Sequence, residues 1–325
     1  MDRRDAVLAL FALGASRLAL AQPARRIPRI GVLFLASTAS TGANVEAFRA
    51  ALRQLGYAEG RSVEIDLRSA EGRIERLPEL AAQLVARKVD VIVTGGGNVS
   101  TQAARKATTT IPIVMSGAVN AVEAGLVGSL ARPGGNVTGL SVPGDLAAKQ
   151  MELLRELVPS LSRVAVLLRP DPAGAERRAK GKAMMQEFLR ITVDFVEVAE
   201  PEDLAQSLAA ARALRPGALM VGPDPLFFSQ RDQVLAFARA GRLPAIYPLR
   251  DFVDAGGLLS YSVSNAELYS RMAGYIDKIL KGAKPADLPV EEPREYELVI
   301  NLKTAKALGL AIPQALLVRA NEVIQ

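Results

Sequence analysis

Thr94-Gly95-Gly96-Gly97-Asn98-Val99-Ser100 is the densest run of residues able to do chemistry in this chain. Three glycines let backbone N–H groups face outward, and Asn98 can cap a helix whose positive end favours an anion. Gly97 and Asn98 are therefore candidates for holding a carboxylate, and the same residues would serve equally as a turn and a cap. The spacing of Gly95, Gly97 and Ser100 imitates a dinucleotide-binding G-x-G-x-x-G. It follows the third expected strand rather than the first, however, and Ser116-Gly117-Ala118, about 20 residues on, lacks the acid that would hold a ribose.

Further polar residues stand after other apolar runs. Ser37 and Thr38, with Ser40 and Thr41, follow the first run and offer hydroxyls to a ligand or caps to a helix; Ser116 and Asn120 end a later one. In the second half, Arg169 could reach a carboxylate. Asp224, fixed between prolines in Gly-Pro-Asp-Pro-Leu-Phe, suits either a ligand ammonium or an Asx-type cap. Tyr247 ends Pro-Ala-Ile-Tyr and can form one wall of a pocket or simply pack in the core, and Tyr261 offers a weaker version of the same choice.

No histidine, cysteine or tryptophan occurs anywhere. The commonest general base, the thiol nucleophile and the soft metal ligands are thus missing, which excludes serine–histidine hydrolysis and zinc sites. Carboxylates are plentiful but none are paired at a recognisable spacing, so a carboxylate-dependent or nucleotide-binding α/β enzyme remains only as an alternative. No cofactor and no metal are expected.

The elements that would position these residues alternate. Arg29–Leu35 is a short apolar run of strand type, and Val45, Phe48, Leu52 and Leu55 share one helical face ending at Gly56. A strand at Val63, a helix with Leu77, Leu80 and Leu84, the β-branched run from Val89, a helix from about Val99 and a strand at Ile111 follow. The pattern restarts after Gly-Gly-Asn-Val-Thr-Gly-Leu: a helix bearing Leu146–Leu157, strands at Arg163, Ile191, Gly217 and Pro244, and helices between them. Such alternation predicts parallel, doubly wound sheets, and two successive sets of similar length predict two lobes. In such sheets ligands sit beyond the carboxyl ends of the strands, which is where the residues above lie.

At 325 residues, half of them hydrophobic, the chain can bury two cores. Its net charge of +6 comes from 40 basic and 34 acidic residues that are interspersed, so no nucleic-acid partner is expected. Arg3-Arg4, the apolar run Ala6–Ser16 and Ala19-Leu20-Ala21 have the layout of a cleavable export signal over 1–21, with the mature chain starting near Gln22 in the periplasm. The run is far short of the roughly 20 apolar residues needed to span a bilayer.

The phrases PAIYPLRDFVDAGGLLSY, ILKGAKPADLPVE and ELVINLKTAKALGL, with LRQLGYAEGRSVEIDL and IPIVMSGAVNAVEAGLVGSLARPGGNVTGLS, closely resemble the substrate-binding proteins of ABC transporters, in the family that includes receptors for tryptophan and other aromatic amino acids. The resemblance covers nearly the whole mature chain. It implies a type I periplasmic-binding fold of two doubly wound parallel-sheet lobes, 28–140 plus 262–284 and 141–261 plus 285–325, joined by a hinge of crossover segments. It also implies a monomer that closes on a small amino-acid-like or carboxylate solute and delivers it to a membrane permease. Two departures bear on specificity: Asn120-Ala121 stands where relatives usually have Asp-Pro, and Arg169-Pro170-Asp171 where they tend to have Asn-Pro.

Overall fold

A computed structural model describes residues 26–36, 38–144, 146–170 and 174–325; the expected export signal lies outside them. The first sheet holds β1 (Arg29–Phe34), β2 (Glu64–Ser69), β3 (Val91–Gly95), β4 (Ile113–Val119) and β5 (Val137–Val142) in the order β2-β1-β3-β4-β5, all parallel. The second holds β6 (Arg163–Leu168), β7 (Thr192–Glu197), β8 (Ala218–Val221), β9 (Ala245–Tyr247), β10 (Leu259–Val263), β11 (Tyr296–Asn301) and β12 (Glu322–Ile324) in the order β12-β11-β10-β9-β8-β6-β7. Every pairing there is parallel except β10 with β11. These are the two doubly wound α/β lobes expected, with one antiparallel pair where the chain returns late to the second sheet.

Both faces of each sheet are covered, which is why β3 and β8 are buried along their whole length rather than alternating. On the first sheet, α1 (Thr38–Gln54) presents Val45, Phe48 and Leu52 to one face, and α2 (Leu77–Ala86) with α3 (Gly97–Ala107) covers the other. On the second, α4 (Leu146–Leu157) packs Met151, Leu154 and Leu157 on one face. Its edge strand β7 is approached through α5 (Ala175–Met184) and an irregular helical turn. The opposite face takes α6 (Leu204–Ala213), α7 (Pro225–Ser229), α8 (Arg231–Ala240) and α9 (Arg250–Asp254).

The chain passes between the sheets three times: after β5, after β10 and before β11. Between the last two lies α10 (Asn265–Leu280), whose Tyr269, Met272, Ile276 and Ile279 join α1 on the first sheet. The two closing helices, α11 (Leu302–Leu308) and α12 (Gln314–Arg319), belong to the second lobe's core through Ala305 and Leu316. The stretch expected to leave for the second lobe at Pro285 stays on the first sheet through Glu291: Val290 N–H donates to Leu130, Glu291 N–H to Gly139, and Ser141 N–H returns a bond to Glu291. Pro285–Asp287 makes one 3₁₀ turn within it.

One strand was hidden by its glycine. The Gly-rich passage from Gly134 to Gly144 reads as the first crossover, yet Val137–Val142 is the fifth strand, and Gly139 sits at φ +122° because a Cβ there would run into the backbone of Met115.

Candidate ligand-binding cleft

The first lobe brings the carboxyl ends of β1, β3 and β4 to one side. Ser37 lies outside the described residues, and Thr38 opens α1 with its side chain likewise outside them. The glycine loop bends as a helix entry requires. Gly96 has φ +117°, with no room for a side chain because a Cβ would stand 2.8 Å from both Leu35 Cβ and Ser100 Oγ. Gly97, at φ +71°, opens α3, and a Cβ there would meet nothing within 4 Å. The first turn of α3 is therefore approachable at Gly97, while Thr101 donates to the Gly97 carbonyl at 3.1 Å and holds the loop from behind.

Asn98 neither caps this helix nor faces a ligand with a free amide. Its Nδ2 donates to the Val119 carbonyl at 3.0 Å and its Oδ1 accepts the Val119 N–H at 2.9 Å, so both ends are bonded to the end of β4. The cap position is Gly96, which has no side chain to offer. Ser116, partly buried, lies level with Gly95 on the neighbouring strand, where a bulge interrupts the β4–β5 register between Met115 and Ala118. Asn120 adopts a left-handed φ of +47°, which its short polar side chain tolerates. Its Oδ1 accepts the Gly144 N–H at 2.7 Å and its Nδ2 donates to Glu123 at 3.1 Å. Asn120 thus fastens the first crossover.

On the second lobe, Arg169 and Asp224 follow the adjacent strands β6 and β8 and come together. Asp224 Oδ1 accepts the Leu226 N–H at 2.8 Å, capping α7. Burial raises its pKa, while that N–H and the charge of Arg169 pull it back. The ammonium-partner and cap readings meet here in one residue with one oxygen already engaged. Arg169 has only 11% of its side chain exposed, reaches Glu200 at 3.7 Å, and keeps a buried Nη1 with no hydrogen-bond partner. Tyr247 is core packing: it is 1% exposed, stacks on Phe252 with centroids 4.9 Å apart, and closes over Gly257, where a Cβ would come within 2.7 Å of its ring. Burial raises its phenol pKa.

The lobes touch across the cleft. Ala36, just past β1, packs into the second lobe's core cluster beside residues such as Leu226 and Phe227. A Cβ on Gly72 would lie 3.7 Å from Ser229 Oγ, and Arg73 reaches Glu202 at 3.6 Å. Near this contact stand two charged residues that the sequence reading passed over, Arg231 and Asp251, each with a buried polar atom lacking a hydrogen-bond partner. The available signal was their place, Arg231 opening α8 and Asp251 in the first turn of α9.

Two α/β lobes linked by three passes of the chain define a two-lobed solute-binding protein of the type I periplasmic-binding fold. The chain belongs to the ABC transporter substrate-binding protein family, whose profile matches residues 29–324. A conserved domain protein of Vibrio cholerae superposes with a TM-score of 0.84 at 26% identity, over 92% of this chain and all of that one. The ABC domain from Streptococcus pneumonia in complex with L-Trp gives 0.82 at 28% identity, over 91% and 99%. A "Tyrosine-binding protein" of Clostridioides difficile strain R20291 is 27% identical over 281 residues, 86% of this chain and 81% of the relative.

Proposed function

We propose that this protein is the exported receptor of an ABC importer for an aromatic α-amino acid, held between a first lobe of 28–142 plus 264–291 and a second of 143–263 plus 292–325, since β5 runs to Val142 in the first sheet and β10 to Val263 in the second, past the bounds of 140 and 262 expected from the sequence. The observation that carries the ligand class is the similarity, along nearly the full chain, to a relative solved with L-Trp and to another named for tyrosine. Arg169 supports it, because a buried guanidinium with an open donor suits a carboxylate. The first turn of α3 at Gly97 offers a second anion-favouring group from the opposite lobe. The protein acts by closure and leaves its ligand chemically unchanged; an inner-membrane permease recognises the closed form. It works as a periplasmic monomer, released from its signal near Gln22.

Calorimetry with L-tryptophan and L-tyrosine tests the reading. One of them binds and is recovered intact, and at about 100 times its Kd it stabilises the fold by roughly 2.7 kcal/mol. Binding of neither amino acid, or conversion of either, overturns it. Intact mass of the protein from its native host checks export, with a chain retaining Met1 as the contrary result.

A further inference from the structure

Most of the buried side-chain atoms without a hydrogen-bond partner have a local explanation. Asp66 has ionic partners in Arg68 and Arg87, and Asp194 has one in Arg163; Ser100 and Ser260 are neutral hydroxyls, whose burial costs far less than that of a charge. Arg169, Arg231 and Asp251 differ in that each is charged and follows the carboxyl end of a second-lobe strand or the helix packed there. Arg169 and Arg231 reach Glu200 and Asp232 only at 3.7 and 3.8 Å, beyond hydrogen-bond length. Arg231 donates to the main-chain oxygen of Asp251 at 3.4 Å, not to its carboxylate, so Asp251 Oδ2 stays unmatched.

The surroundings are aromatic. Arg231 lies over the Phe228 ring, 5.9 Å from its centroid, and Phe228 packs 6.4 Å from Phe252, the neighbour of Asp251. From the first lobe, α10 contributes Tyr269, 6% exposed, whose phenol senses the charge of Asp251. An acid and a base held side by side without pairing, among rings and at the meeting of two lobes, match the two opposite charges and apolar body of one ligand.

We propose that Asp251 receives the ammonium of the bound amino acid and Arg231 its carboxylate, in a subsite crowded by Phe228, Phe252 and Tyr269. This assignment rests on the amino-acid-receptor reading and moves the ammonium contact from Asp224, whose Oδ1 already caps α7, to the next strand end, and it gives the direct carboxylate contact to Arg231 rather than to Arg169, which faces Glu200 at 3.7 Å. It also accounts for a neutral Asn120: the anionic partner of the amine is provided from the opposite lobe.

The test uses the full mature protein and three probes by calorimetry: L-tryptophan, indole-3-propionate, which lacks the ammonium, and tryptamine, which lacks the carboxylate. Asp251→Asn weakens L-tryptophan by about tenfold or more and leaves indole-3-propionate within about twofold, as loss of one charge-assisted hydrogen bond predicts. Arg231→Gln does the same to L-tryptophan and spares tryptamine. L-tyrosine with its own two truncated analogues replaces the series if the wild type prefers it. A wild type that binds neither amino acid defeats the receptor reading itself. Should the wild type bind while Asp251→Asn, folded by its melting curve, keeps the wild-type preference for L-tryptophan over indole-3-propionate, the subsite assignment is wrong and the receptor reading stands. If Asn at 251 does not fold, Arg231→Gln decides: unchanged discrimination against tryptamine overturns the assignment.

Discussion

Asn98 and Asn120 stand beside carboxyl ends of first-lobe strands, yet the amide groups of both are bonded to protein. For Asn98 the partner is the Val119 backbone, 21 residues away, at 2.9 and 3.0 Å. Asn98→Ala therefore leaves a partly buried carbonyl and N–H without their partner and costs about 1–3 kcal/mol of stability. Urea unfolding reads that loss, and calorimetry on the folded variant shows affinity changed less than twofold; a large loss of affinity at unchanged stability would restore Asn98 to the ligand. Local spacing offered a helix entry at the glycine loop and a cap at Asp224 as one of two readings for each, because caps and turns depend on neighbours in sequence. It could not show what Asn98 or Tyr247 faces, which depends on strands paired from afar. Asp251 carries a pH consequence. Burial raises its pKa; its own N–H, Arg231 and Arg250 oppose this, Asp254 adds to it, and Tyr269 is the phenol beside it. An ammonium contact favours the ionised form, so affinity is full above the raised value and falls as pH drops through it, from a higher pH than an ordinary aspartate at about 3.9 would give. Asp251→Asn removes that limb from the affinity–pH profile.

The crossovers are elements that periodicity sees only as gaps. Two of them are tied to α10 by one network. Ser264 caps the helix by accepting the Glu267 N–H at 3.4 Å, and the Glu267 carboxylate accepts the N–H groups of Arg294 and Glu295 at 3.2 and 3.0 Å. Arg271 bonds Glu267 at 2.8 Å and the Glu292 carbonyl at 3.0 Å, and pairs with Glu291. The Glu267 Oε atoms thus bind a crossover 27 residues downstream, a pairing that no run of Pro and Glu announces. Burial works to raise the Glu267 pKa, but the two N–H donors and Arg271 outweigh it and the value is lowered. The folded state then holds this proton less readily than the unfolded chain. The contribution is present above the ordinary glutamate value of about 4.3 and is lost as pH falls through the lowered one. Glu267→Gln keeps one acceptor oxygen for two donors, costs about 1–2 kcal/mol near pH 7, and flattens the acid limb of the stability profile. Denaturant titrations of both proteins between pH 7 and 3 decide it, and parallel profiles would refute a role for Glu267. By contrast β1, β3 and β8 were legible because continuous apolar runs mark strands covered on both faces, while β5 was not, because Gly139 reads locally as a breaker and is required only by its approach to Met115.

Two lobes could be read from the grammar of repeated β-α units, but whether and where they touch could not, since contact between them depends on side chains from loops far apart in the chain. Ala36 is the clearest of those contacts: it leaves the end of β1 and is 6% exposed because it enters the second lobe's core cluster. Its backbone carbonyl is held by Ser69 Oγ at 2.7 Å, so the first lobe fixes its position independently of the second. A large side chain there has no place to go while the lobes are together, but meets solvent when they part. Ala36→Trp is thus a wedge that acts on closure and spares each lobe's own core. A ligand shifts a two-state equilibrium only by its differential affinity for the closed form, and its apparent affinity falls with the fraction able to close. The variant should keep a melting temperature within a few degrees of the wild type without ligand, yet bind its amino acid at least about tenfold more weakly, as a population shift of 1.4 kcal/mol or more requires. Solution scattering separates this from local damage: the wild type contracts on adding saturating ligand, and Ala36→Trp keeps its ligand-free radius of gyration at the same concentration. A variant that contracts and binds as the wild type does would mean that closure brings the lobes together elsewhere than at Ala36.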